Sequence, residues 1–460
     1  MGNRKSDILL AAIREGKPMG TNDKLNLIVS LSIPSILAQI TSVLMFFIDA
    51  SMVGHLGAEA SAAIGLVEST TWLFGSLTSA ASMGFSVQVA HFIGANDFPR
   101  ARQVFRHGLV CTSLLSVLIV IVCLLIYRPL PFWLGGGADI AHDASLYFLI
   151  FVLSTPFFMF NNLSGAMLKC SGNMRIPSII SVTMCLLDVV FNYIFIFVMH
   201  LGVMGAAIGS ALAIFIAACL EGYFAIFRSE MLSLFRDNEP FRWVSDYVKN
   251  ALKIASPMAL QSMLMSGAQI VSTMIVAPLG NFAIAANTFA ITAESLCYMP
   301  GYGIGDAATT LVGQSLGAGR KDICRSFAHM TVGIGMCIMA LMGVLMFVFA
   351  PEMMGVLTPV EGIRDLGVHC LRIEAFAEPM FAASIVSYSV FVGAGDTLRP
   401  ATLNLVSMWC VRLTLAALLA RDYGLTGVWT AMAIELTFRG ALFLIRLWRG
   451  KWLRDVVKMK

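Results

Sequence analysis

Long apolar runs decide what this chain can fold into. Bounded by glycine, proline or charge clusters, they fall at about 27–53, 60–93, 107–127, 145–168, 177–199 and 203–227, and again at about 250–278, 282–316, 327–350, 367–392, 401–420 and 425–445. Each offers the roughly 20 residues that a helix needs to cross hydrocarbon. Lipid supplies no hydrogen bonds to an open backbone, so runs of this kind become helices. The longest must tilt or project beyond the lipid. Composition agrees, because only 13% of the residues are charged and 58% are hydrophobic, whereas a soluble domain carries about 25% charged residues. A soluble enzyme with a single anchor is excluded. The ten cysteines lie mostly inside the apolar runs without disulfide or zinc spacing, and so read as small hydrophobes. The polar, mixed-charge stretch from Met1 to Lys24 argues against a cleavable signal peptide.

Positive residues orient the spans. Arg4, Lys5, Arg14, Lys17 and Lys24 precede the first; the even-numbered loops carry Arg100, Arg102, Arg106, Lys169, Arg175, Arg228, Arg236, Arg242, Arg320, Lys321, Arg325 and Arg399; the tail adds Arg449, Lys451, Arg454, Lys458 and Lys460. The odd-numbered loops hold little more than Arg128, Arg364 and Arg421. This bias predicts cytoplasmic N- and C-termini, which requires an even number of spans.

An internal repeat organises the chain. One offset of 223 residues matches Pro34 with Pro257, Gly57 with Gly280, Gly94 with Gly317, Pro156 with Pro379, Gly172 with Gly395 and Pro177 with Pro400. Six spans per repeat bring the second half in from the same face as the first, so the halves are parallel repeats about an axis along the membrane normal. The expected fold is an all-α membrane protein of twelve transmembrane helices in two pseudo-symmetric six-helix lobes. Its expected parts are an N-terminal segment over 1–24, lobes over 25–228 and 249–448, a polar linker over 229–248 and a tail over 449–460.

Ionisable groups inside a bilayer are costly and mark function or pairing. In the first half the acids within spans include Asp49, Glu68 and Asp188. Counted from the outer helix ends at about 1.5 Å per residue, Asp49 lies about 6 Å deep, Asn192 and Ser210 about 10 Å and Asp188 about 16 Å. Asp188 and Asn192, at i and i+4, share a helix face. Two carboxylates, an amide oxygen and a hydroxyl can bind a proton or supply hard oxygen ligands to sodium; alternatively, the two acids only hydrogen-bond neighbouring helices. In the second half Glu294, Glu378, Arg412, Glu435 and Arg439 sit near mid-depth. Opposite charges at one depth predict a buried structural network, with a spare carboxylate such as Glu378 in contact with a cation as the alternative. On that reading loss of Arg412 strands a buried charge. Pro34, about 22 Å cytoplasmic of Asp49, removes one backbone hydrogen bond and is a candidate hinge.

Gly303-Ile304-Gly305-Asp306 and Gly393-Ala394-Gly395-Asp396 match the pattern of intramembrane aspartyl proteases, but no Tyr-Asp dipeptide supplies the second carboxylate that such chemistry shares. Gly317-Ala318-Gly319-Arg320-Lys321 lacks the spacing of a phosphate loop, so any transport must run on a gradient. His91, His107 and His329 flank cytoplasmic loops and are expected to be solvated. The 28 methionines could line an adaptable pocket.

Ser32-Ile33-Pro34, followed by Phe47-Ile48-Asp49-Ala50-Ser51-Met52-Val53-Gly54-His55-Leu56-Gly57, resembles the first helix of the multidrug and toxic compound extrusion (MATE) transporters. Leu311–Gly319, Gly393–Thr397 and the tract from Trp409 to Trp429 agree, and the resemblance covers nearly the whole chain. It implies a non-enzymatic antiporter with two six-helix lobes that exports organic, typically cationic, compounds against protons or sodium ions by alternating access. Members commonly carry an acid where Asp49 stands, polar or acidic residues at Asp188 and Asn192, and often a hydroxyl near Ser210. Many have asparagine before aspartate in the fifth span, the reverse of Asp188 and Asn192. Some branches carry a glutamate in the seventh span, where this chain has Gln261. The implied partners are a small organic substrate and the bilayer, with no nucleic acid; a monomer is expected, with no cofactor beyond the coupling ion. A lipid-linked precursor flippase is the rival transport class and would line its cavity with arginines, of which Arg412 and Arg439 are available.

Overall fold

The computed structural model describes residues 4–453, so Arg454, Lys458 and Lys460 of the tail lie outside the described residues. Regular structure among the described residues is entirely helical. A short amphipathic helix α1 (Arg4–Arg14) precedes α2 (Thr21–Gly54), α3 (Ala58–Gly94), α4 (Phe98–Ile126), the single turn α5 (Leu130–Trp133), α6 (Ala138–Cys170), α7 (Arg175–Tyr193) and α8 (Gly202–Tyr223). The second series is α9 (Ser245–Val276), α10 (Asn281–Gly317), α11 (Lys321–Leu357), α12 (Glu361–Ala375), α13 (Glu378–Gly393), α14 (Leu398–Val406), α15 (Leu413–Tyr423) and α16 (Leu425–Arg449). All twelve apolar runs are therefore helical. Among the described residues nine helices are long and apolar enough to cross a membrane, with Leu398–Tyr423 counted as one, and ten when the bent pair α12 and α13 is counted as one span. The other two runs are α3 and α10, of 37 residues each, diluted by serine, threonine, glycine and acid side chains.

The repeat is visible in where helices begin. Starts at 58 and 281, 98 and 321, 138 and 361, 175 and 398, and 202 and 425 are each separated by the offset of 223 seen in the sequence. Departures are informative. The run from Glu361 is split by a bend of 60° between α12 and α13. Pro379 stands at the start of α13, where a missing N–H is harmless but continuation from the preceding turn is disfavoured. The matching Pro156 lies within an unbroken α6. In place of one α-helix, α14 and α15 are joined by a π-helical turn over Ser407–Arg412.

Two compact units emerge among the described residues: one is built from residues 4–7 and Thr41–Ala259, the other from Ile8–Ile40 and residues 260–453. The divisions fall inside α2 and α9, so each of these helices gives its first part to one unit and its second part to the other. Glycine explains how the first parts are accepted. In the first unit a Cβ at Gly84 of α3 would stand 2.6 Å from the Ala251 carbonyl oxygen of α9. In the second, a Cβ at Gly303 of α10 would stand 2.7 Å from the Ile36 nitrogen of α2. Helices without a hydrophobic drive between them associate where small residues let backbones approach. Also in the second unit, Ser35 donates to Asp306 over 2.7 Å, and Arg320 donates to the Ala12 carbonyl at 3.2 Å and the Ile13 carbonyl at 3.4 Å, satisfying the C-terminal carbonyls of α1.

The polar segment between α8 and α9 is held by α4. Arg102 donates to the Met231 and Glu230 carbonyls at 3.2 and 3.0 Å and pairs with Asp237. Arg106 donates to the Glu239 and Leu234 carbonyls. The expectation of a solvated His107 is overturned: the ring is fully buried, donates from Nδ1 to the Gln103 carbonyl at 2.7 Å and accepts the Val244 N–H on Nε2 at 2.9 Å. His91 is buried as well. A segment without its own ladder needs such partners for its backbone. Arg102→Ala should therefore loosen residues 229–244 by about 2–3 kcal/mol, read as faster limited proteolysis and hydrogen exchange there with the helices still protected.

Candidate functional site

In the first unit, the second part of α2 carries Asp49 toward α7. Asp188 and Asn192 stand one turn apart on α7, and both are buried. Asn192 Nδ2 donates to Asp49 at 3.0 Å and to Asp188 at 3.4 Å. The two carboxylates lie within hydrogen-bonding reach of each other. Among the described residues neither forms an ion pair. Two carboxylates in contact without a base need a proton between them or a cation beside them. The approach of α8 is set by Gly209, whose Cβ would lie 3.0 Å from the Asn192 nitrogen. Ser210, the next residue, is half-buried and takes no part in the hydrogen bonds of this group. The structure adds Tyr147 of α6, whose phenol is within electrostatic reach of Glu68, Asp49 and Asp188. Pro34 lies inside α2, which continues through it.

The second unit sorts the mid-depth charges into two groups. Glu435 of α16 is fully buried and accepts from Ser407 at 2.6 Å, Arg412 at 3.0 Å and Arg439 at 2.8 Å. The π-helical turn presents Ser407 and Arg412, five residues apart, to this one carboxylate, as its wider i to i+5 spacing allows. Glu294 and Glu378 do not join it. They meet Glu374, which the sequence reading did not single out, with carboxylate oxygens from all three within 4.8 Å of one another. Glu374 and Glu378 are completely buried, and among the described residues both oxygens of each lack a hydrogen-bond partner. The two flank the break between α12 and α13, where the first repeat has Phe151 and Thr155 at the matching positions. Such a cluster can hold a proton or a small cation. The signal for Glu374 was its i, i+4 relation to Glu378 inside an apolar run.

A cavity of about 250 Å³ opens beside these groups in the second unit, lined by Gln269, Glu294, Tyr298, Arg412, Trp429 and Arg439 among others. Trp429 Nε1 donates to Asn287 at 2.9 Å, fixing the indole in the wall. The two Gly-Asp tracts are otherwise engaged: Asp306 accepts from Ser35 and Asp396 is paired with Arg446.

The pattern of the MatE family matches residues 34–194 and 257–418, once in each repeat. The chain belongs to the MATE family of transporters. Its likeness to relatives described as multidrug resistance proteins and transporters extends over about nine-tenths of each chain. It is 25% identical over 436 residues to a probable multidrug resistance protein NorM of Thermotoga maritima, covering 94% of this chain and 93% of that protein. It is 26% identical to a protein of the same description from Idiomarina loihiensis, covering 93% and 95%, and 23% identical to the uncharacterized transporter YisQ of Bacillus subtilis, covering 88% and 90%. The fold is that of solved MATE structures. An outward-facing multidrug resistance MATE family transporter matches with a TM-score of 0.87 at 23% identity, over 92% of this chain and 96% of that one. A MATE in complex with MaL6 matches at 0.89 and 22%, over 98% and 100%. This MATE protein is accordingly a multi-pass membrane transporter of small molecules, and not a protease.

Proposed function

We propose that the protein is a secondary antiporter that exports organic cations in exchange for protons or sodium ions, with Asp49, Asp188 and Asn192 as the coupling site and Ser210 at its margin. The observation that carries this reading is the pair of carboxylates in contact, bridged by one amide and without a base. Alternating access follows if ion and substrate favour different states, since a ligand shifts only an equilibrium whose states it binds unequally. The positive-residue bias supports cytoplasmic termini, and in this reading the protein acts as a monomer in a cell inner membrane. Purified protein in proteoliposomes should drive a fluorescent organic cation uphill when a pH or sodium gradient is imposed, without ATP. Movement only with ATP, or no uphill movement with either gradient, would refute it.

Pro34 serves here as the hinge of α2, because it lies in the part of the helix belonging to the second unit while Asp49 lies in the part belonging to the first. Pro34→Ala restores a backbone hydrogen bond and stiffens that helix. It should slow gradient-driven efflux severalfold while leaving thermal stability unchanged or raised. Wild-type efflux in a stable Pro34→Ala protein would remove the hinge.

A further inference from the structure

We infer that the segment between α8 and α9 is a binding surface for anionic phospholipid, its aromatic rings set in the membrane interface and three arginines beside them meeting the lipid phosphate. The surface lies within the first unit and does not depend on the exchange reading above. Phe227-Arg228, Phe235-Arg236 and Phe241-Arg242 repeat one pair of residue types three times, and Trp243 follows the last. All four rings and all three arginines are exposed. Exposed apolar side chains gathered in one short segment mark a contact surface. Segments that lie in the interface combine rings of this kind with basic residues.

The rings sit where a bilayer would meet them. Tyr223 and Phe227 fall in the last turns of the span Gly202–Arg228, and both are exposed on it. Phe235 folds back from the connecting segment and stacks on Phe227, with centroids 5.3 Å apart and planes 11° apart, yet it stays 70% exposed. The segment therefore turns toward an exposed face of a membrane-spanning helix instead of leaving it for water. The π-helical turn Phe224–Arg228 places Arg228 five residues from Tyr223, where its Nε donates to the phenol oxygen at 3.1 Å. The rest of the segment is drawn along α4. Arg106, about 12 Å along that helix from its first residue, donates to the Leu234 and Glu239 carbonyls, and Phe241 and Trp243 rest against the His107 ring with centroids 4.9 and 5.2 Å away.

Charge selects the occupant. Among the described residues Arg228, Arg236 and Arg242 form no ion pair. Asp237 is engaged by Arg102, while Glu230 and Glu239 are exposed and offer the arginines around them backbone carbonyls. A guanidinium matches phosphate bidentately, and basic residues at the cytoplasmic interface draw anionic lipid. A phospholipid answers both features at once, its phosphate to the arginines and its first methylenes to the rings.

Hydrogen exchange on the full chain, one copy per nanodisc, tests this surface. Exchange over 229–244 should be at least about fivefold slower in equal parts phosphatidylcholine and phosphatidylglycerol than in phosphatidylcholine alone, the effect of a single arginine on an anionic surface. Combined Arg228→Gln, Arg236→Gln and Arg242→Gln should abolish that difference. The corresponding lysine variant loses the same guanidinium contacts but keeps the charge, and should retain most of it. Phe235→Ser should speed exchange over the segment in both lipid mixtures. Equal exchange of the wild-type protein in the two mixtures, or a difference that survives the glutamine variant, overturns the lipid site. So does an unaltered Phe235→Ser protein. Protection reproduced in phosphatidylcholine by inorganic phosphate would make the arginines a soluble-anion site, and protection seen only with two copies per disc would assign the surface to a second copy of the chain; either result refutes the assignment to lipid.

Discussion

Glu435→Gln should be among the most destabilising single substitutions in the second unit, costing about 3–5 kcal/mol, as does breaking a buried ion pair from one side. Glutamine keeps the size and can still accept from Ser407, but it withdraws the carboxylate charge that accepts from both Arg412 and Arg439. Arg439 is nine-tenths buried and cannot turn to water without unpacking α16. The expectation read from the sequence was that loss of Arg412 would strand a buried charge; the geometry moves the damage to its partner. Without Arg412, Glu435 still has Arg439 and Ser407. Thermal unfolding in detergent should therefore show a large drop for Glu435→Gln and a small one for Arg412→Gln. A Glu435→Gln protein that melts with the wild type would show that water or lipid headgroups reach the two arginines, and that the network is not what holds these helices.

Depth along a helix can be counted in a sequence, whereas the rotation that decides which helices a face meets cannot. The offset of 223 foretold five pairs of helix starts because glycines and prolines punctuate helices through local sterics. Asp49, Asp188 and Asn192 could be grouped from the sequence because all three fall in the outer half of the membrane and two of them share a helix face. The mid-depth charges of the second half shared a depth too, yet they divide into a network around Glu435 and a cluster around Glu294, Glu374 and Glu378. That division depends on α10, α12, α13 and α16 turning particular faces inward, and on a π-helical turn that no hydropathy pattern announces. Matching prolines did not give matching breaks, for Pro156 is carried inside α6 while α12 ends before Pro379. His107 was misread because its partners, Gln103 and the Val244 backbone, include a segment with no helix of its own.

The decisive test of coupling is Asp49→Asn, which should reduce gradient-driven efflux to the leak of protein-free vesicles while leaving the fold intact. An asparagine at 49 can accept from Asn192 through its oxygen and donate to Asp188 through its amide, so the contacts that Asp49 makes now persist without the need for a proton or cation. It resembles the occupied site held permanently in place. Asp49 is half-buried, whereas Asp188 is 3% exposed, so the ion reaches the pair through Asp49, and Asp188→Asn should impair coupling less. Protonation belongs to the pair when two carboxylates share a site, so the Asp188→Asn protein keeps a titrating group and its efflux should shift in pH dependence instead of vanishing. The consequence for the rest of the molecule runs through α2, one continuous helix whose two parts serve different units. On the coupling reading proposed above, a change in packing at Asp49 would be carried along α2 past Pro34. A site that is always filled no longer responds to the gradient, and a ligand without differential affinity moves no equilibrium. Substrate binding by Asp49→Asn should then remain measurable while uphill efflux is lost. Full coupling by that variant, measured as substrate efflux against imposed pH and sodium gradients in turn, would place the coupling ion elsewhere, with Glu294, Glu374 and Glu378 the first place to look.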